Sequence, residues 1–330
     1  MAAVADGAEK ILPEKILKQL RELWVELGQS QQASGGVLRA CANTLIVAAE
    51  PDAEGRDAEA AHRTIGVLMH DHPSRAIVVS PREGGAGFAQ MDARVFSECW
   101  MPFGGQKQIC AEGIEIAADS EQMDEVARVL VPLLAPDLPV ILWCRGARAF
   151  RDRALDPLFS LADKIIFDTA RVRHAPSAIE FLRRMRKGRP QVADLEWTRL
   201  TGWREAVANL FSHGVSHGVA DVTAVQVQFR GERPGTGATY FARWIERALS
   251  GARVTLTPDD SASPAAGVCG VTFHKGPQEI SIHCKDSRTL EVCDADTVYA
   301  SPLPGASEEM LMREELSILG RDPVFDQVLQ

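Results

Sequence analysis

Hydrophobic and polar positions follow helical and strand periods along most of the chain. Between Ile16 and Leu27 the apolar residues recur every three or four positions, which is the spacing of an amphipathic helix. The continuous apolar run L-I-V-A-A at 45–49 instead indicates a buried strand. The pattern therefore predicts an N-terminal docking helix at 11–27, followed by alternating strands and helices.

The same reading assigns elements to the rest of the chain. In the first half the predicted strands are 45–49, 75–80, 93–100, 106–117 and 140–143, and the predicted helices are 58–70 and 121–134. Strands 93–100 and 106–117 are expected to form an antiparallel pair. In the second half the predicted helices are 157–161, 177–187, 239–249 and 307–319, and the predicted strands are 164–168 and 222–229. Four further strands at 253–257, 267–275, 278–285 and 289–293 are expected to form an antiparallel meander.

Mixed strands with intercalated helices predict an α/β fold. We expect two mixed α/β sandwich domains, with an N-terminal helix and an antiparallel strand meander near the C-terminus. A length of 330 residues agrees with about two domains. The predicted ranges are 1–36 for the N-terminal helix and linker, 37–150 for the first domain and 151–330 for the second. The tail 322–330 either docks weakly or hangs free.

The most distinctive segment is D-L-E-W-T-R-L-T-G-W-R at 194–204, which holds two of the six tryptophans of the chain. Apolar spacing from Leu200 onward predicts an amphipathic helix with Thr201 as its N-cap. Trp197 and Trp203 cannot share one face of a straight helix, so one is expected to pack inward and the other to lie at a rim. A rim tryptophan beside arginines is typical of an interface anchor, and a buried tryptophan that staples the fold is the alternative.

Charge and cysteine usage narrow the class of protein. The net charge of −9 disfavours binding to nucleic acid and to an anionic membrane, because both are negatively charged. No apolar run approaches the ~20 residues of a membrane span, and the N-terminus has no signal-peptide pattern. The seven cysteines are scattered without a C-x-x-C spacing and are expected to be free thiols. These features predict a reduced, cytoplasmic protein.

The sequence offers no catalytic, cofactor-binding or metal-ligating set, and we expect none. It contains no G-x-S-x-G, H-E-x-x-H or phosphate-loop motif. The segment G-E-R-P-G-T-G from Gly231 to Gly237 joins a strand to a helix, where backbone N–H groups could hold an anion. An ordinary connection is the alternative there. A basic run at 183–189 either forms a solvated helix face or complements an acidic partner.

Five segments, in order, resemble the OpcA family, the glucose-6-phosphate dehydrogenase assembly proteins. They are R-A-C-A-N-T-L-I-V at 39–47, H-P-S-R-A at 72–76, L-L-A-P-D-L-P-V-I-L-W at 133–143, L-A-D-K-I-I-F-D-T-A at 161–170 and D-L-E-W-T-R-L-T-G-W-R-E at 194–205. The C-terminal third carries no segment that matches. The resemblance implies a non-catalytic bacterial protein that binds glucose-6-phosphate dehydrogenase, activates it allosterically and favours its active oligomer. It would thereby support the pentose phosphate pathway and NADPH supply.

We expect a docking surface built from the polar residues of these segments. The predicted partner-binding residues are Arg75, Trp197, Arg199, Trp203 and Arg204. The residues expected to orient them are His72, Ser74, Asp163, Asp168 and Asp194. Two alternatives remain open. One is an enzyme that binds a phosphosugar at the 231–237 loop with Asp163 or Asp194 as base, and the other is a scaffold for a different partner.

Overall fold

The computed structural model describes most of the chain. The described residues are 12–29, 36–51, 54–82, 91–102, 107–151, 153–188, 190–213, 221–259, 267–294, 297–318 and 320–330. The chain forms two compact units, which are Met1–Phe167 with Arg189–Val192, and Asp168–Gly188 with Ala193–Gln330. The domain ranges predicted from the sequence stay a prediction, because a compact unit need not be a domain that folds by itself.

The first unit is built on an eight-stranded sheet, called sheet A. Its helices are α1 (Pro13–Gln29), α2 (Arg56–Leu68), α3 (Met123–Leu130) and α4 (Asp156–Phe159). The strands are β1 (Val37–Arg39), β2 (Asn43–Ala48), β3 (Ser74–Arg82), β4 (Asp92–Trp100), β5 (Gln108–Asp119), β6 (Val140–Cys144), β7 (Lys164–Phe167) and β8 (Gln191–Asp194). The strand order is β1-β5-β3-β2-β6-β7-β8, and β4 pairs with β5.

Strand β2 lies at the centre of sheet A. Every one of its residues is buried, and it runs parallel to both β3 and β6, with Leu45 beside Ala76 and Ile141. A parallel strand covered on both faces needs a continuous apolar run, which is why L-I-V marks this strand in the sequence. Strands β4 and β5 form the predicted antiparallel pair.

The cysteine prediction is wrong at one pair. Cys99 and Cys110 stand directly opposite each other on β4 and β5 and form a disulfide. The five other cysteines, Cys41, Cys144, Cys269, Cys284 and Cys293, are free. The spacing of the two cysteines along the sequence does not indicate this pair, because they meet through the register of an antiparallel hairpin and not through a C-x-x-C motif.

The second unit holds the remaining elements. Its helices are α5 (Ala175–Met185), α6 (Leu195–Thr198), α7 (Thr201–His213), α8 (Thr236–Ala248), α9 (Glu308–Ser317) and α10 (Pro323–Val328). Its strands are β9 (Ala224–Arg230), β10 (Arg253–Pro258), β11 (Gly267–Lys275), β12 (Gln278–Asp286), β13 (Thr289–Asp294) and β14 (Thr297–Pro302). They form sheet B in the order β10-β9-β11-β12-β13-β14.

Sheet B differs from the predicted meander at both edges. Strand β10 pairs parallel with β9, because α8 forms a crossover between the two strands. The antiparallel meander therefore starts at β11, and it gains the unpredicted strand β14. The α/β class is confirmed, with a mostly parallel sheet, a mixed sheet, an N-terminal helix and an antiparallel meander near the C-terminus.

The C-terminal tail is docked, so of the two expected alternatives the free tail is wrong. Asp322 caps α10 by accepting hydrogen bonds from the backbone N–H groups of Val324 and Phe325. Phe325 and Leu329 are both buried, at 2% and 0% exposure. Two apolar anchors four residues apart give this short helix one inward face. Among the described residues, none of the helices has the length and apolar character needed to cross a membrane.

Candidate functional site

The segment 194–204 forms the polar centre of the second unit. It consists of the end of β8, the short helix α6 and the start of α7, rather than one helix with a lead-in. Asp194 is fully buried and caps α6 by accepting from the N–H of Glu196 at 3.1 Å. It also accepts from Thr169 N (3.0 Å), Thr169 Oγ1 (2.6 Å) and the Tyr240 hydroxyl (2.8 Å). Burial raises the pKa of Asp194 to about 6 in spite of these donors.

Arg199 follows α6 and binds two carboxylates. Its two terminal nitrogens donate to the two oxygens of Asp168 at 2.7 and 3.0 Å, and Nη1 also donates to Glu196 Oε2 at 2.9 Å. Burial alone lowers the pKa of Arg199, but the Asp168 and Glu196 carboxylates outweigh it and raise the pKa. A bidentate fork of this kind fixes the guanidinium plane. One quarter of the Arg199 side chain remains exposed, so its edge reaches the surface.

Glu196 lies against the first turn of α8. Its Oε1 occupies the space that a Cβ would need at Gly237, so glycine is required for this approach. Burial, reinforced by the neighbouring charges of Asp194 and Asp168, raises the pKa of Glu196 to about 7, although Arg199 opposes the shift. The chain thus places its own carboxylate beside the loop from Gly231 to Gly237. Anion binding by this loop stays a prediction.

Trp197 and Arg204 form a stacked pair. The Trp197 ring is 3% exposed, and its Nε1 donates to Asp322 Oδ2 at 2.7 Å. Phe325 of α10 stacks on the same ring with centroids 5.5 Å apart. The guanidinium of Arg204 lies 3.9 Å from the ring centroid, and Nη2 donates to Thr201 Oγ1 at 2.9 Å. Burial lowers the pKa of Arg204.

Trp203 is also buried, at 4% exposure, against Phe241 of α8 with centroids 5.9 Å apart. The expectation that one of the two tryptophans lies at a rim is therefore wrong. Its premise was a single helix, whereas the turn at Arg199 and Leu200 separates α6 from α7 and lets each tryptophan reach the core of the second unit. Of this group, the arginines rather than the tryptophans retain exposed surface.

An open cleft of about 460 Å³ borders Arg199. Its charged lining residues are Glu196, Arg199, Arg230, Lys285 and Asp286, and Leu303 and Pro304 form an apolar side. Pro304 approaches so closely that Gly202 has no room for a Cβ. Both signs of charge and an apolar wall make this cleft suited to a polar protein segment.

Arg75 belongs to the first unit, on β3. It is 8% exposed and donates to Glu112 Oε1 at 2.6 Å and to the backbone oxygen of Leu133 at 2.7 Å. Glu112 also accepts from Trp24 Nε1 and Arg39 Nη2, both at 2.6 Å. Burial alone raises the pKa of Glu112, but the Trp24 hydrogen bond and the Arg75 and Arg39 charges hold it below its usual value. Arg75 thus helps to tie α1 to sheet A.

The other residues expected to orient the arginines lie at or near the ends of strands. Ser74 Oγ donates to the backbone oxygen of His72 at 2.8 Å. Asp163 Oδ2 accepts from the N–H of Val140 at 3.0 Å, where β6 begins. Asp168 holds Arg199, as described above. Whether these residues and the five arginines and tryptophans bind a partner stays a prediction.

An open α/β sheet usually binds its ligand at the carboxyl ends of its strands, at the point where the strand order reverses. Here that point lies between β2 and β6. The cavity there measures about 10 Å³, and Glu50 fills the space beside Gly146. That volume is about the size of one water molecule. A neighbouring cavity of about 550 Å³ is lined by Glu50, Glu54, Glu59 and Glu115 against Arg82 and Arg94.

In the described part of the chain, no group of three or more His, Cys, Asp or Glu side chains is arranged to hold a metal ion. The site also contains residues that sequence reasoning did not single out, namely Thr169, Glu196, Tyr240, Glu315 and Asp322. Only Asp322 carried a local signal, because an Asp-Pro pair before an apolar run is a helix start. The others are brought in by tertiary packing.

Two protein-family models match the chain. Residues 66–186 match the glucose-6-phosphate dehydrogenase subunit N-terminal domain of the OpcA type, and residues 190–329 match the corresponding C-terminal domain. Four of the five segments quoted above fall inside these ranges, and 39–47 falls outside. The second match also covers the C-terminal third, where no segment was recognised.

Curated relatives carry the description "Putative OxPP cycle protein OpcA". The protein from Synechocystis sp. is 28% identical over 31% of this chain and 22% of its own length. The Synechococcus elongatus protein is 25% identical over 56% of this chain and 41% of its own length. The chain therefore matches less than half the length of these relatives.

Solved structures give weaker similarity. KijD10, a 3-ketoreductase from Actinomadura kijaniata in complex with TDP-benzene and NADP, aligns with a TM-score of 0.47 at 10% identity, over 87% of this chain and 94% of that one. An oxidoreductase from Sinorhizobium meliloti aligns with a TM-score of 0.46 at 11% identity, over 87% and 94% of the two chains. At this level neither fold nor activity is transferred.

Proposed function

The chain belongs to the OpcA family, and on this premise we propose that it is a non-catalytic assembly factor and allosteric activator of glucose-6-phosphate dehydrogenase. The observation that carries the proposal is the match of both halves of the chain to domains described as dehydrogenase subunit domains. By favouring the active oligomer of the enzyme, the protein would support the oxidative pentose phosphate pathway and NADPH supply. We place this activity in the bacterial cytoplasm.

The carboxyl edge of sheet A supports a non-catalytic role. The crevice at the strand reversal has about 10 Å³ of space, which does not admit a nucleotide. The larger cavity beside it carries four carboxylates against two arginines, so it disfavours phosphates and other anions. Asp57 and Glu59 occupy the first turn of α2, where a phosphate would otherwise find positive backbone dipoles.

The surface that we propose for the enzyme includes the cleft beside Arg199. Arg199 presents an exposed edge there while Asp168 fixes its plane. Arg204 is a second proposed contact; it is part-exposed and is held by Trp197 and Thr201. Both tryptophans are buried, so their proposed role is to support this surface from the core. Trp197 does so by stacking on Arg204. Arg75 remains a proposed contact of the first unit, and His72 and Ser74 remain residues proposed to orient it.

Activation requires that the protein bind the active state of the enzyme better than the inactive state. A ligand with equal affinity for both states shifts no equilibrium. A coupling free energy of ~1–3 kcal/mol corresponds to activation of about 5- to 150-fold. A cleft with fixed arginines suits this requirement, because charge pairs that are already oriented discriminate between two arrangements of a partner surface.

Binding can be tested by co-elution of the purified protein with the dehydrogenase of the same host, with light scattering to measure mass. We expect a complex, and we expect Arg199→Gln to weaken it while Arg247→Gln, an exposed arginine in the last turn of α8, leaves it unchanged. Arg199→Lys keeps the charge and controls for loss of the folded state. Elution of the two proteins as separate species at micromolar concentrations would contradict the proposal.

The phosphosugar-enzyme alternative makes a different prediction. A direct ligand stabilises the isolated protein by mass action, by about 2.7 kcal/mol at a concentration of 100 Kd. A thermal-shift screen with sugar phosphates therefore separates the two functions. We expect no shift in the melting temperature of the isolated protein. A scaffold for another partner would instead appear as a pull-down from the cytosol that retains other proteins without the dehydrogenase.

A further inference from the structure

The two faces of sheet B differ in how they are covered. On β9 the side chains of Val225, Val227 and Phe229 are at most 3% exposed, because helices of the second unit pack on that face. The alternate residues Gln226 and Gln228 point to the opposite face and are half-exposed. The same alternation continues on β12 and β13. On β11 the residues from Cys269 to Phe273 are all buried, and Thr272 is 4% exposed. The face opposite to Val225, Val227 and Phe229 therefore carries part-exposed side chains on β9, β12 and β13.

The register of the strands arranges this open face in rows that cross all six strands. One central row is Thr255, Gln226, Thr272, Ser281, Cys293 and Val298. The next row is Thr257, Gln228, Gly270, His283, Glu291 and Ala300. Gln228 and His283 crowd the space above Gly270, which confirms that the three share a face.

These two rows are poor in charge. One quarter of all residues in the chain are charged, yet of these twelve positions only Glu291 carries a formal charge. That charge is already paired, since Lys285 Nζ lies 3.0 Å from its carboxylate. Depletion of charge at the centre of a patch is the compositional mark of a protein interface. Val298, which is 61% exposed at the end of the first row, adds apolar surface.

Charges of both signs stand at the ends of the same face. Arg253 and Glu279 flank the rows on one side. Arg230, Asp259 and Lys285 flank them on the other, with Arg230 3.8 Å from Asp259. An uncharged centre inside a rim of mixed charge is the usual anatomy of a docking face. Six strands at ~4.8 Å and four rows at ~6.8 Å span an area of roughly 700 Å². Standard interfaces bury about 800 Å² on each partner.

We propose that this face of sheet B is the interface between two copies of the chain, packed sheet on sheet about a two-fold axis. The reason for a second copy is electrostatic. A chain of net charge −9 repels its own copies over most of its surface. The two charge-poor rows, whose single carboxylate at Glu291 is paired with Lys285, are where two copies meet with the fewest like charges. A two-fold axis brings the same patch of both copies together, so a self-complementary patch is sufficient.

The test uses the full chain alone and does not involve the dehydrogenase. Sedimentation equilibrium at about 100 μM should give a mass near twice 35.9 kDa, since interfaces of this size reach micromolar affinity or better. Ser281→Arg places a guanidinium in the centre of the face of each copy and should give single chains. Gln278→Arg, at an exposed position of the same strand on the opposite face, should leave the dimer intact.

A second readout follows the free thiol of Cys293, which lies in the central row. In the dimer this thiol is covered. A thiol reagent should therefore modify Cys293 about tenfold faster in Ser281→Arg than in Gln278→Arg. This ratio corresponds to about 1.4 kcal/mol of protection of the thiol by the dimer. Circular dichroism confirms that both variants are folded. A wild-type chain that sediments as a monomer would overturn the proposal. A Ser281→Arg variant that stays dimeric with a protected Cys293 would do so as well.

Discussion

The guanidinium of Arg204 lies 3.9 Å from the centroid of the Trp197 ring, and both side chains belong to the segment 194–204. The contact connects α7 to α6, while Asp322 holds the other side of the tryptophan through its Nε1. The pair therefore links α6 and α7 to the C-terminal helix α10. Its function in the proposal is to fix where the exposed edge of Arg204 points.

Replacement of Arg204 by leucine should lower the free energy of unfolding by about 1–2 kcal/mol. A partly desolvated cation over an indole ring contributes about that amount, and the variant also loses the hydrogen bond to Thr201. Urea unfolding measures the change. Arg247→Leu, which removes an exposed arginine of α8, should stay within about 0.5 kcal/mol of the wild type. If both substitutions changed the free energy of unfolding equally, the stacking of Arg204 on Trp197 would not be stabilising.

Trp197→Phe should loosen the C-terminal helix. The variant keeps an aromatic ring for Phe325 but removes the Nε1 donor to Asp322, and a hydrogen bond to a charged group contributes about 1.5–3 kcal/mol. Hydrogen exchange of the backbone amides of α10 is expected to accelerate. Trp203→Phe, on Phe241, is the matched control and should leave exchange in α10 unchanged. If the amides of α10 exchanged at the same rate in Trp197→Phe as in the wild type, the hydrogen bond from Trp197 to Asp322 would not stabilise this helix.

Gly237→Ala should be destabilising because of Glu196. A Cβ at this position meets the Glu196 carboxylate that Arg199 holds in place. Overpacking of this kind costs about 1–3 kcal/mol. The cost should largely disappear in the Glu196→Ala background, since that substitution removes the obstructing group. A double-mutant cycle measures the coupling, and additive effects of the two substitutions would contradict the contact.

Stability should fall as pH rises from about 5 to 8. The pKa of Glu196 is about 7 in the folded chain and 4.5 when unperturbed. Between these values the folded state binds more protons than the unfolded state, so the unfolding free energy decreases with increasing pH. Asp194 contributes in the same direction at lower pH, between 3.8 and about 6. We expect a loss of about 1–3 kcal/mol from Glu196.

Glu196→Gln should weaken the dependence of the unfolding free energy on pH, because it removes the titrating group and keeps the shape of the side chain. Unfolding in urea at several pH values between 5 and 8 measures it. Identical slopes for the wild type and the variant would show that Glu196 titrates at its ordinary pKa in the folded chain.

Regular elements with a strong apolar period were predictable from the sequence. The buried run of β2, the hairpin β4–β5 and the helix α9 carry local signals that tertiary structure does not override. The parallel pairing of β10 with β9 follows from the strand–helix–strand order around α8, which the predicted meander did not take into account. The Cys99–Cys110 disulfide needs the hairpin register, which the sequence leaves open.

The candidate site, too, could be predicted from the sequence only in part. The segment 194–204 could be recognised by its tryptophans and arginines, but their burial could not be predicted from spacing on one helix. At the break between α6 and α7, Asp168 and Glu196 hold the Arg199 side chain, and Asp168 is distant in sequence. Tyr240 and Asp322 enter the site from α8 and from the cap of α10, and no local pattern connects them to 194–204.

The most direct test of the proposed function is the activity of the host's glucose-6-phosphate dehydrogenase, titrated with the purified protein while the mass of the enzyme is followed by light scattering. The proposal predicts a saturable rise in kcat/KM of about 5- to 150-fold, together with a shift of the enzyme to a larger oligomer. The rise should be reduced by Arg199→Gln and unaffected by Arg247→Gln. An enzyme whose rate, substrate affinity and mass are the same with and without the protein would contradict it.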